Sequence, residues 1–375
     1  MIRRLFASLA LALLLPLAAH AQTQAGDVPP AGSSKNVQAV VTQVEKEWTV
    51  DGKRQMVFDA KTADGAAYRI DTSQGYVEGL RYDVKTGTHV LLEVNEGADG
   101  TTAYLADVVR TDGLLVIFLI FCLLTVAVGY WRGFAALIGL GLTLGVLFGF
   151  VFPRILAGGN PLLITAVGGV VILAVNMHLS HGFSRRTFVA FLSTLGGFFL
   201  ALIASVAFVR LAHLSGLASE EANFLFWRFG SSTYPQGILL AAILLGALGV
   251  LDDITVTQTE TVAELKHADP TLSAKELYVR AMRVGRHHIA STVNTLILAY
   301  VGASMPLFLL FLSTPGMTFA QFLNTEQVAE EFVRTLAGTA ALVLTVPLST
   351  WLAALVVRAK DGHASGHGHT HSHGA

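Results

Sequence analysis

Two adjacent carboxylates interrupt an apolar stretch of the chain, Gly246 to Gln258, GALGVLDDITVTQ. Asp252 and Asp253 follow an apolar run that begins near Pro235, and Thr255, Thr257 and Gln258 come directly after them. Ionisable groups at or near bilayer depth are costly, so they usually face a protein interior or a watery cavity. On a continuous helix, Asp253, Thr257, Glu260 and Glu264 fall at i, i+4, i+7 and i+11 and make one oxygen-rich stripe. Such a stripe suits a proton or a hard cation better than an apolar ligand. The competing reading is positional: from Pro235 to Leu251 a helix rises roughly 25 Å, so the pair also fits the point where a span leaves the membrane. Against that reading, carboxylates at a helix C-terminus oppose the macrodipole, and Lys or Arg would be usual there.

A second polar set sits on HIASTVNTLILAYVGASMP, after the leading His287. His287, Ser291 and Asn294 share one helical face, with Thr295, Ala299 and Gly302 beside it. A buried Asn needs partners for its amide, and the Asp253/Thr257 face of the preceding span is the expected one. A plain hydrogen bond between helices is the alternative. The candidate solute- or ion-binding set is therefore Asp252, Asp253, Thr257, Gln258, Glu260, Glu264, His287, Asn294 and Thr295. The chain ends in alternating histidines, His367, His369, His371 and His373, among Gly and Ser. They cannot form a core, but when neutral they bind Zn²⁺ or Ni²⁺; a disordered tail with incidental metal affinity is the reading adopted. No resident cofactor is implied. No enzyme chemistry is expected either. Adjacent acids on a helix point about 100° apart and make no dyad alone, and no Ser-His or His-Glu-x-x-His arrangement occurs.

The segments that must position these residues are those of a membrane protein. Apolar residues make up 53%, charged ones 14%, and the net charge is −1, which leaves no basic field for nucleic acid. The single cysteine, Cys122, permits no disulfide framework. Arg3 and Arg4, an apolar core from Leu5 to Leu17, and Ala19-His20-Ala21 read as a signal peptide over residues 1–21. Removal after Ala21 is expected, with an uncleaved anchor as the alternative. Residues 22–34 form a Pro-, Gly- and Ser-rich tether. Residues 35–112 carry short β-type runs, Val37–Val44, Gln55–Lys61, Ala66–Asp71, Thr88–Val94 and Thr102–Val109. Asp-Gly turn signals punctuate them, and together they predict a small extracytoplasmic β-barrel-like domain, OB-like in kind.

Residues 113–358 form the membrane domain, and a His-rich tail occupies 359–375. Seven spans are expected, at Leu114–Tyr130, Phe134–Phe152, Pro161–Met177, Phe188–Leu211, Pro235–Leu251, Ile289–Leu312 and Phe332–Val357. Loop charges orient them. Arg132, Arg185, Arg186, Lys266, Lys275, Arg280, Arg283, Arg286, Arg358 and Lys360 fall inside and outnumber Arg154, Arg210, Arg228 and Arg334 outside. The N-terminal domain is thus extracytoplasmic and the C-terminus cytoplasmic. Gly141, Gly145 and Gly149 make a ridge that admits a close helix, within the chain or in a homo-oligomer, internal packing being preferred. Ser219-Glu220-Glu221 starts a short aromatic interfacial helix. Asp269-Pro270 breaks the chain, and Ser273 with Glu276 caps a basic amphipathic helix from Ala274 to Val284, read as an anchor on anionic lipid. Pro306 should bend the outer half of the sixth span.

GALGVLDDITVTQTETVAEL, GRHHIASTVNTLILAYVGASMPLFL and NTEQVAEEFVRTLAGTAALVLTVPLST, in that order, resemble the YibE/F family of bacterial membrane proteins. The resemblance covers the whole membrane domain and implies a location in the bacterial inner membrane. It places Asp253 on the family's single Asp, and Glu264, Asn294, Thr295, Glu326, Glu331 and Arg334 on its pattern. Where the family often has an acid after Gly-Arg, this chain has His287. The resemblance implies architecture and candidate positions rather than a reaction. The expected function is a transporter or permease for a small solute or ion, working within the bilayer through Asp252/Asp253 and Asn294. The alternative is an envelope scaffold or sensor whose outer β domain binds a partner.

Overall fold

The computed structural model describes residues 34–50, 53–74, 83–97, 100–229 and 235–357. The expected signal peptide, most of the tether and the histidine tail lie outside them. The chain divides into two compact units that part between Gly129 and Tyr130.

Among the described residues, the first unit carries five antiparallel strands in the order β3-β2-β1-β4-β5. Strand β1 (Ser34–Val50) is longer than its apolar run and serves two partners. It pairs with β2 (Lys53–Thr62) from Ala39 to Val50 and with β4 (His89–Gly97) from Ser34 to Val40. Its register slips at Val41/Gln43 and Val44/Lys46, bulges that bend a strand far enough to join two ladders. β3 (Ala67–Asp71) extends β2 and β5 (Gly100–Val108) extends β4. β3 and β5 approach each other without sharing a ladder, which leaves a half-barrel. Gly65, at φ 94°, turns the β2–β3 hairpin, a backbone that only glycine adopts cheaply. Inward residues alternate along β2 (Met56, Phe58, Ala60) and β4 (Val90, Leu92, Val94). With Ile70 and Leu105 they fill one apolar core.

The helices begin with α1 (Thr111–Val146), which runs through a π-helical stretch, Leu147–Val151, into α2 (Phe152–Leu156). Helical geometry fails once, at Tyr130 (φ 50°, ψ −131°), so the first two expected spans share one interrupted run. Then come α3 (Pro161–His181), α4 (Arg185–Leu211), α5 (Glu220–Phe229), α6 (Pro235–Ala268), α7 (Ala274–Ala303), α8 (Met305–Leu312), α9 (Phe319–Asn324) and α10 (Glu326–Val356). Among the described residues, five helical runs are long and apolar enough to cross a membrane, or six when α7 and α8 count as one bent span. The α7–α8 bend is 66°, with Pro306 in the first turn of α8, where its missing N–H is harmless.

Two expected boundaries dissolve. α6 continues past the aspartates to Ala268, so the pair lies inside a helix and not at its end. α7 runs unbroken from its Ser273/Glu276 capping box through His287 and His288, although Gly285 is a poor helix former, because Gly285 is seated against Val346 of α10 and Gln258 of α6.

α10 packs against α4, α6 and α7, and α6 also against α3. Apolar clusters set the directions. Val209 meets Leu239, Ile243, Val333 and Ala337 at one end, and Val189 meets Val262, Leu277, Ala353 and Ala354 at the other. α6 and α10 are therefore parallel to each other and antiparallel to α4 and α7.

An ion cluster on the half-barrel yields a pH prediction. Arg54 pairs with Glu47 and, at 3.1 Å, with Asp83, which Lys85 also holds. The hydrogen bond from Arg54 keeps the Glu47 carboxyl below its usual range, and bonds from Lys85 and then Arg54 do the same for Asp83. Depressed folded-state values mean that the pairing contributes stability above the ordinary carboxylate range. That contribution is lost as pH falls through the lowered values. In an Arg54→Gln variant, Glu47 should return nearly to its ordinary titration while Asp83, still held by Lys85, moves less. Carboxyl NMR titration of the two proteins checks the order, and an equal movement of both would contradict it.

Candidate functional site

Bundle packing selects which polar residues of α6 face inward. At 100° per residue, Thr255, Gln258 and Thr259 cluster on one side of the helix, and all three are buried. The stripe of Asp253, Thr257, Glu260 and Glu264 lies on the opposite side. Asp253 and Glu264 are exposed, Thr257 donates back to Asp253 O at 2.8 Å, and Glu260 pairs with Arg186 at 2.6 Å. Asp252 sits at the edge of the inward face, half-buried, with its Oδ1 enclosed.

The inward face meets hydroxyls from two neighbours. The Thr194 and Thr255 hydroxyls are 2.5 Å apart across α4 and α6. Ser349 Oγ of α10 donates to Thr255 O at 3.3 Å. Thr350 Oγ1 stands 3.0 Å from Gln258 Oε1 and 2.7 Å from Val346 O, so one proton serves two acceptors. Close approach makes these bonds reachable. A Cβ at Gly197 would strike Thr345, and one at Gly285 would lie 2.8 Å from Val346 Cγ1 and 3.2 Å from both Gln258 amide atoms.

Three buried polar atoms on this stretch of α6 have no hydrogen-bond partner: Asp252 Oδ1, Gln258 Nε2 and Thr259 Oγ1. An unmet buried donor or acceptor costs about 1–3 kcal/mol, more when charged. Three on two turns of one helix mark a place where something polar belongs. Beside Thr259 is a void of about 10 Å³, lined by His181, Arg186, Thr187, Ala190, Val256, Thr259 and Glu260. That volume is on the scale of one water. Asp252 lies one helical turn from Val256 on the same side of α6, toward the apolar end of the helix. Chemically, this is a carboxyl with an enclosed, unbonded oxygen, set about one turn of α6 from a water-sized recess that ends in an ion pair. It can take up and release a proton.

α7 does not bring its predicted residues here. Asn294, Thr295 and His287 are exposed, and the only bond from these three side chains is Thr295 Oγ1 to Ser291 O at 3.0 Å. The reason is rotational: Gly285 packs on Gln258, and Asn294, nine positions on, points half a turn away. The expected meeting of Asn294 with Asp253 and Thr257 is not made. Residues not picked out as site candidates carry the contacts instead, Thr194, Ser349, Thr350 and Arg186, while Thr259 and His181 line the void. Their signal was present as hydroxyls spaced through apolar spans, Ser193-Thr194 and Thr345 with Ser349-Thr350, a pattern typical of helix contacts in lipid. The glycines of α3 and α4 are used internally, Gly169 against Phe198 and Leu248 and Gly197 against Thr345, whereas Gly141 has nothing within 4 Å.

The family model described as YibE/F-like protein matches residues 117–359. No curated protein and no solved structure matches the chain. The match takes in the polar seam on α6 and every helix packed around it, and leaves the half-barrel outside.

Because Gly285 leaves no room for a side chain, Gly285→Ala should destabilise the protein by about 1–3 kcal/mol, the usual penalty of overpacking. Thermal unfolding of the full chain in detergent measures it. An unchanged midpoint would show that α7 does not seat on Gln258 this closely.

Proposed function

The chain belongs to the YibE/F-like family, and we propose that it is a membrane permease that moves protons, or a solute coupled to them, past Asp252. The observation that carries this reading is Asp252 Oδ1, enclosed without a partner, on the same side of α6 as a small recess about one turn further along. A carboxyl kept without a partner inside apolar helices costs stability and is a functional position by default. Thr255, Gln258 and Thr259 line the inward face next to it, and His181 with the Arg186–Glu260 pair connects the recess to the side where α6 ends.

The family and the apolar helices make this a membrane protein. We further propose seven spans, with the half-barrel outside and the C-terminus inside the inner membrane. In support, the run Thr111–Leu156 holds 46 residues, more than twice the ~20 that one crossing of the hydrocarbon layer needs, and its helical geometry breaks at Tyr130. Arg132 follows that break and the arginines of α7 cluster at one end, the arrangement expected of cytoplasmic segments. The Asp pair then lies toward the inner face.

Asp252→Asn should cut proton flux into proteoliposomes about a hundredfold, the low end of what a positioned proton-transfer group contributes. Its unfolding stability should stay equal or rise, since a half-buried charge with one enclosed, unbonded oxygen is removed. Asp253→Asn, on the exposed side, should transport normally. Full flux in the Asp252 variant would end this reading.

A further inference from the structure

The opposite end of α10 holds a second carboxyl of the same kind. Glu330 is 8% exposed, and its Oε1 has no hydrogen-bond partner. Its neighbours on the helix are otherwise committed. Glu326 accepts from Ser215 N and, at 3.2 Å, from Gly216 N, and Gln327 Nε2 donates to Ala218 O at 2.6 Å. These bonds clamp the loop after α4 to the first turn of α10. Glu331 takes both Ser304 Oγ, at 2.9 Å, and Arg334, at 3.2 Å. Arg334 is one turn beyond Glu330 and is the cation that would ordinarily neutralise it, but its guanidinium is turned to Glu331. Glu330 is left with the Ala218 backbone amide and the nearby charge of Arg334, whose direct ion pair goes to Glu331.

We propose that Glu330 is a second proton-binding carboxyl on the same conduction line, at the outer side of the bundle. This rests on the permease reading of Asp252 and extends it. From Glu330 to Ser349, whose hydroxyl reaches Thr255, α10 rises roughly 29 Å, about the thickness of the hydrocarbon layer. Asp252 comes almost a turn before Thr255 on the parallel α6, so the two under-satisfied acids stand roughly 24 Å apart along the bundle, most of a hydrocarbon layer. Between them on α10, buried Thr345 lies on the same side of the helix as Glu330. It donates to the carbonyl four residues back, which leaves its oxygen lone pairs free to accept. At the outer end a proton from water binds Glu330 Oε1 and gives a neutral acid; its release inward restores the carboxylate. Protonation supplies what the geometry leaves out, because a neutral acid needs no counter-ion.

The test uses the full chain in proteoliposomes containing a pH-sensitive dye, with wild type, Asp252→Asn, Glu330→Gln and Glu326→Gln compared. Glu330→Gln should lower proton flux about a hundredfold, as Asp252→Asn does. Glu326→Gln should lower the unfolding midpoint, through loss of the clamp, and keep flux within about twofold of wild type. Normal flux in Glu330→Gln with loss in Asp252→Asn overturns the outer site and leaves the permease reading standing. Normal flux in both overturns both. Should Glu330→Gln fail to fold, treatment of the wild-type membranes with a hydrophobic carbodiimide decides, because that reagent modifies protonated carboxyls in apolar surroundings. An adduct on the Glu330 peptide supports the assignment, and its absence there overturns it.

Discussion

Inside an apolar bundle there is no bulk water to satisfy a hydroxyl or an amide, so each must bond its own backbone or a neighbour at short range. The stretch of α6 from Asp252 to Thr259 places a carboxyl, two buried threonines and a glutamine under that rule. Thr255 meets it through Thr194 and Gln258 through Thr350, and both contacts require α4, α6 and α10 to lie close together. Gly197 and Gly285 make the distance attainable, because a side chain at either would enter the space of Thr345 or Gln258. Were the helices one methyl group farther apart, these bonds would lengthen beyond use. The bundle is built to the tolerance of its polar seam.

That tolerance makes the unmet groups informative. Where Thr194, Thr255, Ser349 and Thr350 find partners within the same few turns, Asp252 Oδ1, Gln258 Nε2 and Thr259 Oγ1 do not. Packing here is good enough to satisfy neighbours, so loose construction does not explain the omissions. A mobile proton or water is the simplest occupant for groups that a static side chain leaves open. Glu330 repeats the pattern at the far end of α10, amid carboxylates that are each tied to a loop or an arginine.

Much of the local architecture could be read from the chain itself. The Ser273/Glu276 capping box forms where its spacing predicts, and Ser219 caps α5 through Ala222 N. Pro306 lies at the bend between α7 and α8. The alternation of Met56, Phe58 and Ala60 on β2 marks the core side of the half-barrel. Each signal depends on interactions within a few residues, or on a period that only one secondary structure satisfies. Other features were less legible. No short-range signal marked the continuity of α7 across His287-His288, or the extension of β1 through two bulges, since both are settled by what the segment packs or pairs against.

The chain alone determined that on a continuous helix Asp252 and Asp253 point about 100° apart and Asp253 shares a face with Thr257, Glu260 and Glu264. A helical sequence sets such relative angles and nothing more. Only the tertiary structure decided how α6 is rotated about its own axis. Its apolar and small residues seat against α4 and α10, and that choice carries Asp252 to the rim of the interior and turns Asp253 outward. The same rule applied to α7, where Gly285 on Gln258 sent Asn294 to the far side. Absolute orientation is a property of the contact between helices, and no single helix encodes it.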